Sequence, residues 1–291
     1  RLGEDDPMTR FRLDLGYRGT DFHGWAKQPG LRTVQTAVES GLERITGTEV
    51  ATVVAGRTDA GVHARRQVVH IDLSDAAIEK LIGQSNRSAE VVLLSRLRGV
   101  LAAGEFHDIV VHAVAEVSED FDARFSALWR SYQYRLADHR SFIDPLLTQV
   151  TPRHKGELDV EAMAEAASEV QGLHDFLPFC KPREGATTIR TLHELRVVRD
   201  QDAVITIDLR ADAFCHHMVR ALVGGLIKVG SGNWAVTRPA ELIAEADAGL
   251  TPDVPMFVTP AEGLVLTEVG YPAPEDYAAR NAQTMARRDQ E

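Results

Sequence analysis

Between Ala55 and His63 the chain reads Ala-Gly-Arg-Thr-Asp-Ala-Gly-Val-His, and at its centre Asp59 is a carboxylate set among an arginine, a threonine and two glycines. A carboxylate in such a loop has two uses. It caps a turn through its own backbone, or it is displayed to a substrate, where the ionised form attacks an electrophile or takes a proton. Gly56 and Gly61 bracket the polar centre and allow backbone to approach a partner and turn sharply. To stay ionised in a closed site Asp59 needs a cation beside it, which lowers its pKa.

Two other groupings suggest chemistry and are discounted. Asp59 and His63 stand four apart, but Gly61 between them spoils a helical face. His216 and His217 are adjacent, and neighbouring side chains are expected to diverge, so no metal is expected at either place. Cys215 beside His216 reads as a small buried thiol at a helix start rather than a nucleophile.

The loop needs strands to hold it, and the sequence supplies them. Thr52, Val53 and Val54 precede it, and after it Val69, Ile71 and Leu73 alternate with Val68, His70 and Asp72. Phe11, Leu13 and Leu15 alternate with Arg10, Arg12 and Asp14 in a first half-buried strand, followed by a glycine-punctuated aromatic loop from Tyr17 to Trp25. Thr33 is a plausible N-cap for a helix with Val34, Val38, Leu42 and Ile45 on one face before Gly47. Asp75 to Ile82 reads as helix, Val91 to Val100 fits strand or helix, and Ile109 to Val117 resumes a strand period.

Ser118-Glu119-Asp120 is a polar break taken as the division between halves. Beyond it a strand carries Tyr132, Tyr134 and Leu136 on one face, then come an alanine-rich helix from Val160 to Val170 and a loop from Gly172 to Ala186. A hairpin joins Leu195–Arg199 to Val204–Arg210, and a strongly apolar helix starts at Met218. An amphipathic helix near Pro239 to Ala248 and a strand from Leu264 to Val269 complete the set. The expected organisation is α+β: an extension over 1–9, an α/β half over 10–117, a second over 118–272, and a charged tail over 273–291 that lacks an apolar stripe and is expected to be mobile. The element order of each half suggests a ferredoxin-like arrangement.

At 291 residues and 44% hydrophobic content the chain can bury a real core, and its two cysteines exclude a disulfide-rich scaffold, fit a reducing cytosol and leave room for one bridge. No apolar run is long enough to span a bilayer, and the acidic start argues against secretion. The net charge of −11 argues against a protein that coats nucleic acid at large. A local basic groove is compatible with it. Arg57, Arg65 and Arg66 adjoin the loop, and Arg124, Arg130, Arg135 and Arg140 form a second basic series.

Several separated motifs, taken together, resemble the tRNA pseudouridine synthase A family. They are the stretch from Gly56 to His63, Tyr17 to Trp25 with Gln28 and Val34-Gln35, Ala123 to Ala127 leading to Tyr132, Phe214 with His216 to Arg220, and Glu262-Gly263-Leu264. The likeness runs roughly from Arg10 to Pro272. It implies two ferredoxin-like halves whose antiparallel sheets meet at a central active-site cleft. It implies isomerisation of uridine to pseudouridine at positions 38 to 40 of the tRNA anticodon stem-loop.

By this resemblance Asp59 is the catalytic carboxylate, Arg220 the cation paired with it, Tyr132 the tyrosine packed on the base, and Leu264 the apolar wall of the base pocket. From the residues alone Arg220 reads more readily as an interior or exposed helix arginine and Tyr132 as a core aromatic, and it is the adjoining motif that favours the roles in the site. Arg57 would fill the space of a flipped nucleotide or hold a phosphate, with Arg65, Arg66, Arg124 and Lys27 as further positive groups on the RNA path. The resemblance also implies a cytoplasmic homodimer without metal or organic cofactor. The segment from Gln84 to Gly104 departs from the family pattern. A catalytically inactive RNA-binding relative of the same fold is the alternative, and a metal-dependent hydrolase using Asp59 and His63 a more distant one.

Overall fold

A computed structural model describes residues 7–183, 185, 187–252, 254 and 257–289. Alternation becomes pairing first in β1 (Met8–Tyr17), which runs antiparallel to β3 (His63–Ser74) on one side and β4 (Ile109–Val117) on the other. The short β2 (Val53–Val54) pairs with β3 at His70 and Val69, giving the order β4-β1-β3-β2. Phe11, Leu13 and Leu15 are wholly buried on one face, as their period-two spacing requires.

Helix α1 (Val34–Thr46) begins where the Thr33 side chain accepts from the Thr36 amide and ends at Gly47. Helices α2 (Asp75–Ile82) and α3 (Ala89–Ala103) follow β3. The stretch that fits either strand or helix is thus helical. Its buried residues Val92, Leu93, Leu97 and Leu101 recur at helical spacing, and no alternating face exists for a sheet to use. The sequence β1-α1-β2-β3-helix-β4 with this strand order is the ferredoxin-like arrangement expected for the first half.

The same order recurs further on. Antiparallel pairs join β5 (Trp129–Leu136) to β8 (Ile205–Ala211), β8 to β7 (Ile189–Arg199), and β7 to a short edge strand β6 (Gly172–Asp175). On the other side of β5 lies the start of β9 (Leu264–Gly270), where the Thr267 hydroxyl donates to the Ser131 carbonyl. Helices α4 (Val160–Ser168), α5 (Met218–Gly230) and α6 (Arg238–Asp247) complete this set. Helix α5 is buried over most of its surface, which its continuous apolar sequence requires. The loop expected after Gly172 holds the edge strand, which is too short to show a period.

Two compact units result, one containing the residues up to Leu128 and those from Glu268, the other Trp129–Thr267. The dividing point is therefore not the polar break at 118–120. Phe121 is wholly buried in the first unit against the rings of His70, Tyr271 and Tyr277, while Arg10 donates to the carbonyls of Glu119 and Phe121. A short polar run marks a turn here, and the apolar residue after it decides the unit to which the chain belongs. At the other end, Met8 and Thr9 pair with Ser74 and Leu73, so the strand includes residues expected in an extension.

The tail is a second correction. Residues 277–289 form α7 (Tyr277–Asp289), docked by polar contacts rather than an apolar stripe. The Asn281 amide donates to the Asp120 carbonyl, Ser126 donates to Asn281 Oδ1, and Thr284 donates to the Phe125 carbonyl, with Tyr277 buried. Among the described residues no helix is long and apolar enough to cross a membrane.

In the second unit the main polar anchor is Asp138, whose side chain is fully covered. It accepts from both terminal nitrogens of Arg199, at 3.0 and 2.6 Å, and from the amides of Leu158 and Arg140. Burial alone would raise its pKa, but these donors outweigh burial and hold the carboxyl far below the ordinary carboxylate range. Its stabilisation is therefore complete above the unfolded value near pH 4 and is lost as pH falls toward the lower folded value. Asp138→Ala, which strands the Arg199 guanidinium, is expected to cost about 3–5 kcal/mol by denaturant unfolding at neutral pH. The penalty should shrink in acid. In the first unit, ending the chain after Pro272 removes α7 and uncovers Phe121, and is expected to lower the thermal midpoint by roughly 5–10 °C, measured by circular dichroism.

Candidate active site

The loop bearing Asp59 is fixed by its neighbours, chiefly through Thr58. Val54 ends β2, and the Ala55 amide still donates to the Val68 carbonyl, so the loop leaves the sheet only at Gly56. Thr58 is 6% exposed and is held at two atoms. Its carbonyl accepts from the Trp25 amide at 3.0 Å, and its hydroxyl lies 2.7 Å from the Tyr17 hydroxyl. Gln67 Nε2 donates to the Tyr17 oxygen at 3.2 Å and to the Gly56 carbonyl at 2.9 Å, leaving the Tyr17 proton for Thr58.

Burial pushes the Tyr17 phenol up to about 12, against the pull of its bonds to Thr58 and Gln67, so it is a neutral donor over the whole physiological range. The way out of the loop is also fixed. The Gly61 amide donates to the Phe22 carbonyl and the Val62 amide to the Asp59 carbonyl. Asp59, half-buried, therefore sits in a turn whose entrance, centre and exit are all bound.

The two bracketing glycines differ. Gly61 has φ +80°, a conformation that favours glycine, and on the facing loop a Cβ at Gly24 would stand 2.9 Å from the Thr58 carbonyl oxygen. Gly56 has ordinary backbone angles and open space where a Cβ would lie, so the fold itself does not require a glycine there. His63 is buried, and its Nδ1 accepts the Gly19 amide at 2.8 Å, so it helps position the aromatic loop.

The expected RNA-facing cations behave unequally. Arg57, Arg65, Arg66 and Arg124 are exposed, with the Arg124 guanidinium 5.4 Å from the centre of the Phe125 ring. Lys27 is different: its ammonium lies 2.6 Å from Glu39 on α1, which raises the lysine pKa. Burial would raise Glu39, but donors from Lys27, Gln35 and Thr52 hold it low. Lys27 is thus engaged in fastening the loop to α1. The second basic series is dispersed as well. Arg135 faces Asp200 at 3.7 Å, Arg140 faces Glu157 at 3.4 Å, and Arg130 donates to the Asp212 carbonyl.

In the other unit Tyr132 lies on β5, paired with Leu209 of β8, and packs edge-on against Phe214 with ring centres 5.1 Å apart. Arg220 occupies the first turn of α5. Its Nε donates to the Thr259 carbonyl at 2.6 Å, while the Thr259 amide and hydroxyl both donate to the Arg220 carbonyl. That double link fixes the approach to β9, where Leu264 is buried.

Ahead of α5 the expected divergence of the two histidines does not occur. His217 adopts the left-handed conformation, φ +67°, which brings its ring onto that of His216 with centres 3.9 Å apart. Cys215 is joined to Cys180 in a disulfide, where a lone buried thiol was expected. Thr58, Tyr17, Gln67 and Thr259 are the positioning residues that sequence reasoning missed. A buried polar residue beside a reactive one was the available signal, but burial is not written in the loop itself.

A sequence profile described as tRNA pseudouridine synthase matches residues 166–272. Whole-length relatives extend the match across both units. A tRNA pseudouridine synthase A of Leifsonia xyli is 46% identical over 290 residues, covering 97% of this chain and 99% of its own. That of Streptomyces avermitilis is 47% identical over 97% of this chain and 94% of its own, and that of Cutibacterium acnes 46% over 97% and 95%. Identity at this level over nearly all of both units places the chain in the tRNA pseudouridine synthase A family, isomerases that act on tRNA.

Proposed function

We propose that the chain converts uridine to pseudouridine at positions 38 to 40 of the tRNA anticodon stem-loop, with Asp59 as the essential carboxylate. The observation that carries this reading is the double hold on Thr58, which positions the backbone of the next residue, Asp59. In the isomerisation the N1–C1′ bond breaks, a C5–C1′ bond forms, N1 gains a proton and C5 loses one. There is no net oxidation, and no water is consumed.

An ionised Asp59 begins this either by attacking the nucleoside or by removing the 2′ proton toward a glycal. Tyr132 packs on the base and is the candidate acceptor of the C5 proton. Leu264 walls the base, and Arg57 takes the place or the phosphate of the displaced nucleotide. Arg220 is the cation proposed to pair with Asp59. The inactive RNA-binding relative is the competing reading, and turnover separates the two.

The test uses unmodified tRNA with tritium at C5 of its uridines. Wild-type protein is expected to release tritium from positions 38 to 40. Asp59→Asn should lower the rate by about 10²–10⁴-fold or more while binding tRNA within a few-fold of wild type. Absence of release from such tRNAs by the wild type, or full release by Asp59→Asn, overturns the reading. Arg220→Gln removes the proposed cation and is expected to lower kcat/KM by about 10²-fold while leaving tRNA affinity within a few-fold of wild type. Wild-type turnover by Arg220→Gln would separate Arg220 from Asp59.

A further inference from the structure

On the sheet face opposite Phe11, Leu13 and Leu15, the first unit has two adjoining hollows of about 470 and about 420 Å³ that share Arg65 and His112. They differ in character. The first is mostly apolar, with Tyr17, Ala64 and Val110 among its lining and Arg18 and His107 beside them. Val110, on edge strand β4, is 52% exposed, a large apolar surface left open in a polar setting. The second is polar and adds Arg12, Asp14, Arg66 and Glu268.

Pairing decides which of these charges remain available. Arg12 and Asp14 meet at 2.8 Å, and Asp108 of the first hollow is held by Arg32 at 2.9 Å. Arg18, Arg65 and Arg66 are left against Glu268. Among the described residues these three guanidinium groups make no hydrogen bond or ion pair, and all three side chains are exposed. In a chain of net charge −11, three unpaired arginines around two adjoining hollows, one of them mostly apolar, mark a local site for a polyanion that also carries a flat apolar group. The site is also supported from below. His112 Nε2 donates to the Arg65 carbonyl at 2.9 Å, fixing the backbone that carries Arg65.

We propose that the two hollows are one RNA subsite, distinct from the pocket for the reacting uridine. Arg18, Arg65 and Arg66 bind consecutive backbone phosphates, and one unpaired base rests on the Val110 surface. The inference rests on tRNA being the substrate. Arg65 lies six residues beyond Asp59, so at about 3.3 Å per residue the subsite is within roughly 20 Å of the carboxylate. The bound nucleotide therefore belongs to the same stem-loop as the target. Tyr17 belongs to both places, since it is among the residues lining the first hollow and its hydroxyl bonds Thr58.

The experiment measures binding of unmodified tRNA across a salt series, together with C5-tritium turnover, for wild type, Arg65→Ala/Arg66→Ala, Val110→Trp and Arg87→Ala. Arg87 is an exposed arginine in the turn between α2 and α3 and serves as the control. The double variant is expected to flatten the plot of log affinity against log salt by roughly 1.5–2 units of slope. Its KM should rise about tenfold, with kcat within about twofold. Val110→Trp, filling the hollow from an edge strand, is expected to raise KM several-fold and leave the salt slope unchanged.

A double variant that matches Arg87→Ala in slope and KM overturns the phosphate assignment, and wild-type KM in Val110→Trp overturns the base assignment. Melting temperatures of each variant separate these results from unfolding. If the wild type binds with the expected slope but releases no tritium from positions 38 to 40, the target assignment fails and the subsite stands.

Discussion

The candidate site depends on one constraint, the immobilisation of Thr58. Its hydroxyl and carbonyl are held by residues from the end of β1 and from the aromatic loop, and the Gln67 amide closes the set by reaching both Tyr17 and Gly56. Each bond is worth about 1 kcal/mol net, and leaving any partner buried without one costs more. The group is all-or-none for that reason. The backbone of the following residue, Asp59, inherits its position from these bonds. Glu39 extends the same scheme: it holds Thr52 ahead of β2 and Lys27 beyond the aromatic loop, joining α1 to both sides of the site.

Elements with a clean period were legible in the sequence. The alternation of Phe11, Leu13 and Leu15, the capping of α1 by Thr33 and the one-sided apolar residues of that helix are local patterns, and they appear where expected. Segments held by non-local contacts were not. Helix α7 has no apolar stripe because its docking is made by Asn281 and Thr284 reaching carbonyls more than 150 residues away. The left-handed turn at His217 is set by the chain around it, and no residue-type preference announces it. For the site, the turn bearing Asp59 between two strands was legible, but the polar residues that hold it were not. Tyr17 and Gln67 are separated by 50 residues, and only the pairing of β1 with β3 brings them together.

Charge required the same correction. A count of arginines along the chain places basic groups in two series, but a positive side chain matters to a polyanion only when no carboxylate has already claimed it. Arg135 and Arg140 face acids and Lys27 is bound to Glu39, whereas Arg65 and Arg66 stand exposed on β3. Under the proposed subsite, an acidic protein handles RNA through a few unpaired arginines near the Asp59 loop.

The two units share a strand order, yet they use the same topological position differently. In the first, the connection between the second and third strands of the motif, β2 to β3, is the eight residues of 55–62 and displays Asp59. In the second, the matching connection from β7 to β8 is the five residues of 200–204, and its acid, Asp200, turns inward. Asp200 Oδ1 accepts the amides of Asp202 and Val204, and Ala203 takes a positive φ to close the turn. Both loops contain an aspartate, and at Asp200 the turn-capping role is the one observed. The difference follows from what stabilises each turn. Asp200 holds its own loop by accepting those two amides. The loop at Asp59 is braced through Thr58 by Tyr17 and Gln67. A turn held by its neighbours is the setting that the proposed role of Asp59 requires.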